Sequence, residues 1–261
     1  MDRRTFLLGA GGAASALAGC ADLDALGDST VAERNLPKRP TDPTPESVAA
    51  YVAEYEEVRA HNRHARAGAT EVTVEAVATF DHAAGGDSFA TAQHAGTASY
   101  DDEGDRTIDE VTGRPVPYLV ASDRTLRMPV ERRRVGTDAS DRPSNETTSP
   151  PLGVRLCNVS DEPREFAVTV IRRDAEQSHD ADGGAVLSTA VGLGPERALE
   201  LLAITDVRGT YRVTASMEDG GVTGQGRIDV GLPSADRGPN VDVIVDDGGV
   251  SAWHLPSFEG I

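Results

Sequence analysis

Four histidines stand in the first half of the chain, and two of them have a spacing that could do chemistry. His61 and His64 are three residues apart on a predicted helix, while His82 and His94 flank the hairpin that follows. Imidazoles at i and i+3 can seat a divalent cation. Here no cysteine or paired carboxylate accompanies them, and both fall largely outside the apolar stripe of their helix, so solvated histidines are expected rather than a metal centre. Asp180 and Asp182, in DAEQSHDADGG, follow the D-x-D-G order of part of a calcium loop. The later ligands and closing glutamate of an EF-hand are missing, and a solvated acidic loop is expected. No G-x-S-x-G, Walker, G-x-G-x-x-G or H-E-x-x-H pattern occurs. The expected catalytic residues, metal and cofactor are therefore none, and the chain is expected not to be an enzyme.

The reactive group with a motif around it is the thiol of Cys20. Arg3 and Arg4 form a positive head, followed by a glycine-diluted apolar run from Phe6 to Ala18 that is too short to cross a bilayer as a helix. Arg3-Arg4-Thr5-Phe6-Leu7 resembles a twin-arginine export address, with Asp2 and Leu8 as departures from its usual flanks. Leu17-Ala18-Gly19-Cys20 looks like a lipobox, in which small residues fit a signal peptidase and the cysteine takes a lipid. Residues 1–19 are expected to be an export signal, and the protein to be lipid-anchored on the outer face of the cytoplasmic membrane.

Charge agrees with that address. The chain carries 25 basic and 43 acidic residues, for a net charge of −18, and Lys38 is its sole lysine. Such a surface repels nucleic acid and anionic lipid. It resembles the secreted proteins of extremely halophilic archaea, whose surfaces sit in molar salt where the Debye length is about 3 Å. With Cys20 lipidated, Cys157 has no disulfide partner and is expected to be a small half-buried strand residue. Asn145 and Asn158 head N-x-S/T sequons and are candidate glycosylation sites, with Asn145 the better placed. The basic triplet Arg132 to Arg134 is expected to pair with nearby carboxylates.

These residues need elements to position them. Residues 20–44, rich in proline, are expected to be a lipid-anchored tether. Thr44 and Pro45 open a helical pattern through Val48, Tyr51, Val52, Tyr55, Val58 and Asn62, which Gly68 stops. TEVTVEAVATF then alternates as a half-buried strand, AAGGDS makes a turn, residues 88–100 form a weaker strand, and YLVAS with TLRMPVE forms a hairpin around Asp123. Residues 45–135 are thus expected to be an α+β domain, one helix on an antiparallel sheet. Polar residues 136–150 are expected to be a disordered linker. Residues 151–255 hold eight short β runs separated by turns, matching an all-β immunoglobulin-like sandwich with Tyr211 as its candidate corner tyrosine.

The run SVAAYVAEYEEVRAHNRHARAGATEVTVEA, residues 47–76, behind the signal and tether, is similar to the helix-then-strand opening of a family of uncharacterised haloarchaeal lipoproteins. The resemblance implies surface location and this architecture, and brings no activity or site residues. The expected function is a non-catalytic binding or spacing module with a protein or surface-polymer partner and no nucleic acid. The alternatives are a solute-capturing lipoprotein of a transporter and an enzyme accessory that uses the first domain as a pocket.

Overall fold

The computed structural model describes residues 30–102, 105–136, 147–173, 185–219, 222–233, 239–246 and 248–256. The expected export signal, with Arg3, Arg4, Phe6, Leu7, Leu17, Ala18, Gly19 and Cys20, lies outside the described residues, as do Asn145, Asp180 and Asp182. The described chain is mostly β, with one helix and three sheets. None of its helices is long and apolar enough to cross a membrane.

Helix α1, Pro45–Arg66, begins in a reciprocal cap. Thr44 Oγ1 accepts from Ser47 N at 3.2 Å, and Ser47 Oγ accepts from Thr44 N at 2.8 Å, which satisfies two otherwise orphaned donors. Pro45 fits the first turn, where a missing N–H costs nothing. Gly68, at φ +86°, turns the chain out beyond the C-cap.

The first sheet is antiparallel throughout. β1 (Glu71–Ala84) and β2 (Asp87–Asp102) join through Gly85 and Gly86, both at positive φ as a tight hairpin turn requires. The far edge of β2 is shared: its second half pairs with β3 (Asp105–Thr112) and its first half with β4 (Val116–Val120), which carries the short β5 (Thr125–Arg127). Residues 113–115 therefore cross a break in the ladder, opposite His94. Val48, Tyr51 and Val52 of α1 pack on Ala90, Ala92, Val116, Tyr118 and Val120 of this sheet. Burial of this kind stabilises by about 1.5–3 kcal/mol per large side chain.

Each of the eight β runs after residue 150 contributes to a strand. β6 (Val130–Arg134), β7 (Thr147–Asn158), β10 (Arg197–Val207), β13 (Val241–Asp246) and β14 (Gly249–His254) form a second sheet in the order β14-β13-β7-β10-β6. β8 (Arg164–Arg172), β9 (Ala185–Leu193), β11 (Gly209–Asp219) and β12 (Val222–Leu232) form a third in the order β12-β11-β8-β9. A shared core of Leu152, Val154, Leu156, Val168, Val213 and Val243 lies between them, a β-sandwich-like arrangement.

Three expectations about boundaries change. β6, expected to close the hairpin of the first domain, leaves it and pairs in parallel with β10, so the second sheet begins before residue 136. β7 starts at Thr147, inside the expected linker; residues 137–146 lie outside the described residues. Both segments are polar because they lie at sheet margins, where alternate side chains reach water. Residues 31–34, expected to be tether, are fastened to α1 and to the turn behind it: Val31 N donates to Ala69 O at 2.8 Å, and the Asn62 amide exchanges two 2.8 Å hydrogen bonds with the Arg34 backbone. Asn62, the polar member of the helical pattern, makes this fastening.

Candidate functional site

Among the described residues, two of the buried polar constellations each tie several elements together. The first joins the first sheet to the second. Arg155, inside the apolar alternation of β7, donates to Asp242 on β13 (Nε–Oδ1 2.9 Å, Nη2–Oδ2 2.6 Å), to Asp81 of β1 (2.8 Å) and to Thr91 of β2 (2.8 Å). His82 Nε2 lies 3.0 Å from Asp242 Oδ2, and its ring stacks between Phe89 and Trp253 with centroids 4.7 and 5.0 Å away. Burial pushes the Asp242 carboxyl up, but Arg155 and His82 outweigh it and hold it well below the usual range. Cys157 is fully buried rather than half-buried; burial and Asp242 raise its thiol well above the ordinary value, so it stays protonated and donates to Asp242 Oδ1 at 3.5 Å. Its polar members are all buried, while Trp253 is half-buried. The constellation resembles a nucleophile–histidine–acid set in composition only, because thiol and imidazole both turn to the aspartate.

The second constellation borders solvent. Glu56 of α1 is 1% exposed. Its Oε1 lies 2.8 Å from His94 Nδ1 and accepts from Arg127 Nη2 at 3.0 Å; its Oε2 accepts from Arg127 Nε at 2.9 Å and from the Tyr118 hydroxyl. Arg127 thus forks both oxygens, and strand, helix and sheet edge meet on one carboxylate. Burial raises the Glu56 carboxyl, but the hydrogen bonds from His94, Arg127 and Tyr118 outweigh it and lower it to about 2. Burial and the same carboxylate push the Tyr118 phenol far up, so it remains a donor.

Two recesses open around this pin. One, of about 240 Å³, lies against α1 and is lined by Glu56, Arg59, Asn62, Arg63, Arg66, His94 and Arg127. The other, of about 330 Å³, sits at the break between β3 and β4 and is lined by Arg63, His94, Gly113, Arg114, Arg127 and Arg132, among others. They share Arg63, His94 and Arg127. His94 is buried, and its Nε2 has no hydrogen-bond partner among the described residues. Gly113 lies so close over the ring that a Cβ there would sit 2.3 Å from His94 Cε1. A larger open groove, about 720 Å³, runs between residues 36–43, with Lys38 and Arg39 in its lining, and Tyr51, Tyr55 and Thr125.

The expected site residues fall elsewhere. His61 is buried rather than solvated, with Nε2 at 3.0 Å from Ala32 O, because the segment before the helix covers it. His64 Nδ1 lies 2.6 Å from the Tyr100 hydroxyl. The two rings serve separate contacts, and among the described residues no three His, Cys, Asp or Glu side chains group as a metal site. Asn158 is corrected as a glycosylation site. It is fully buried, its amide nitrogen donates to the Glu162, Leu193 and Gly194 carbonyls, and its oxygen accepts from Ser160, leaving no face for a glycan. Of the basic triplet, Arg132 pairs with Glu200 at 2.7 Å and Arg133 with Glu131 at 2.7 Å.

Sequence reasoning missed Glu56, Tyr118 and Arg127, which carry no motif. The recess had a readable trace in Arg59, Arg63 and Arg66, which recur at helical spacing on one face of α1. No protein-family model, curated protein or solved structure matches the chain.

Proposed function

We propose that this protein is a lipid-anchored module on the outer face of the cytoplasmic membrane of an extreme halophile, and that it binds rather than catalyses. The anchor rests on the export signal and on Leu17 to Cys20, and the origin rests on the acidic excess. The finer architecture belongs to the same proposal: a helix-on-sheet unit followed by an immunoglobulin-like sandwich. Its support includes Tyr211, whose hydroxyl donates to Val207 O at 2.8 Å, as a corner tyrosine does.

The observation that carries the binding reading is the state of Glu56. Among the described residues it is the one carboxylate lining the arginine-rich recesses, and a general acid or base there would need a pKa near the working pH and a free oxygen. Glu56 has neither, since Arg127, His94 and Tyr118 occupy both oxygens and hold it ionised. Such a carboxylate fixes the positions of its donors, which suits a rigid binding surface.

The anchor is tested by Cys20→Ser. The wild-type chain fractionates with membranes and carries a lipid on its N-terminal peptide, while the variant accumulates as precursor or appears in the medium. A variant that is still cleaved and still membrane-bound overturns the anchor. A single short acyl chain holds only marginally, so a dialkyl-type lipid is expected in the peptide mass.

A further inference from the structure

We infer that the paired recesses around Arg63 and His94 form a binding site for a tetrahedral oxyanion, a phosphate or sulfate group. The inference rests on the binding reading above and adds the class of ligand.

Charge is the first ground. Six arginines line the two recesses, and three are neutralised: Arg127 by Glu56, Arg66 by Glu33 at 2.6 Å and Arg132 by Glu200 at 2.7 Å. Arg59 lines the first recess, Arg114 the second and Arg63 both; Arg63 Nη2 lies 3.4 Å from His64 Nε2, and none of the three forms an ion pair among the described residues. In a chain with 43 acidic residues, three guanidinium groups without a carboxylate partner around two adjoining recesses run against the general charge. Arg59 and Arg63 are also four apart on α1, a spacing at which like charges destabilise a helix. The fold accepts this repulsion where an anion would remove it.

The second ground is an unfinished polar contact. His94 Nδ1 is committed to Glu56, while Nε2, buried and bordering both recesses, has no partner among the described residues. With Nδ1–H given to Glu56, Nε2 of the neutral ring accepts from a ligand hydroxyl such as the P–OH of hydrogen phosphate, and the imidazolium would donate to an oxyanion. Gly113 packs its backbone over this ring without a side chain, and the missing rung between β3 and β4 makes room for the recess itself.

The third ground is geometry. Guanidinium groups present planar forks of N–H donors that match the oxygens of phosphate and sulfate. Arg63 and Arg59 approach from the helix and Arg114 from the sheet edge, so donors come from two sides. A volume of about 240 to 330 Å³ holds a compact oxyanion with several waters, each occupying about 30 Å³.

The test is calorimetric titration of the full chain in about 2 M KCl with inorganic phosphate, sulfate and the ester glycerol 3-phosphate, so that chloride competes throughout. Saturable binding at one site per chain is expected. Arg63→Gln and Arg114→Gln should each weaken it at least tenfold without moving the melting temperature. Arg212→Gln, on β11 and paired with Asp229, should leave it unchanged. Ester binding at least as tight as that of phosphate assigns the site to a group carried on a larger molecule, and tighter phosphate or sulfate binding assigns it to the free ion. Absence of saturable binding, or binding undiminished in both recess variants, overturns the inference while leaving the anchored module standing. Turnover of p-nitrophenyl phosphate that is lost in Arg63→Gln would keep the anion site and overturn the non-catalytic reading.

Discussion

Arg155 and Asp242 stand directly opposite each other on the neighbouring parallel strands β7 and β13, joined by hydrogen bonds of 2.9 and 2.6 Å, with neither side chain exposed. The guanidinium continues through them to Asp81 and Thr91 of the first sheet, so the helix-bearing sheet and the sandwich-like sheets share a polar weld. Phe89, Leu119 and Met128 of the first part pack with Cys157, Ala198 and Ile244 of the second around it.

Arg155→Leu removes the guanidinium that bridges Asp81 and Asp242. Stranding one partner of a buried pair costs about 3–5 kcal/mol. Chemical denaturation in molar salt should show a loss of that size, with the junction opening before the sandwich core. A loss below about 1 kcal/mol would mean that the weld is ornamental.

Much of the sandwich was legible because its strands alternate: Leu152, Val154 and Leu156 point to one core and read as such. The weld was not. Arg155 and Cys157 occupy the opposite face of β7, and in the sequence that face looks like the polar, solvated side of an antiparallel strand. It is covered by the first sheet, a long-range contact that local pattern does not report. Glu56 was hidden in the same way, as one more acidic residue in AEYEEV until β2, β4 and β5 supplied its partners. β3 was passed over because DRTIDEVT is a largely exposed edge strand.

Gly113→Ala tests the tight seat of His94. The new Cβ would lie 2.3 Å from Cε1 and 2.5 Å from Nδ1, and the ring cannot swing away without releasing Glu56. A cost of about 1–3 kcal/mol is expected in denaturant midpoints. Gly231→Ala, on β12 with open space around its Cβ position, is the control and should be neutral or slightly stabilising. Equal effects at both positions would refute the packing of Gly113 on His94.

Salt and pH should act in opposite senses above and below the carboxylate range. At low salt the acidic surface repels itself over tens of ångströms, so the melting temperature is expected to rise steadily between about 0.1 and 3 M KCl. Acidification toward about pH 4.5 at low salt relieves the repulsion and raises stability. Further acidification reverses the gain. Glu56 is held at about 2 when folded against an ordinary 4.5, so its contribution is full above 4.5 and is lost as pH falls toward 2, about 3 kcal/mol in all. A melting temperature indifferent to salt would remove the adaptation to brine.

The side-chain carboxyl ¹³C resonance of Glu56, followed through a pH titration of the folded protein in molar salt, asks most directly whether the recess binds or catalyses. A carboxylate held by Arg127, His94 and Tyr118 stays at its ionised position from about pH 7 to about pH 4 and moves only as pH approaches 2. A midpoint between about pH 5 and 7 would mark a carboxyl that exchanges its proton under working conditions, and would contradict the reading of Glu56 as the fixed pin of a binding site.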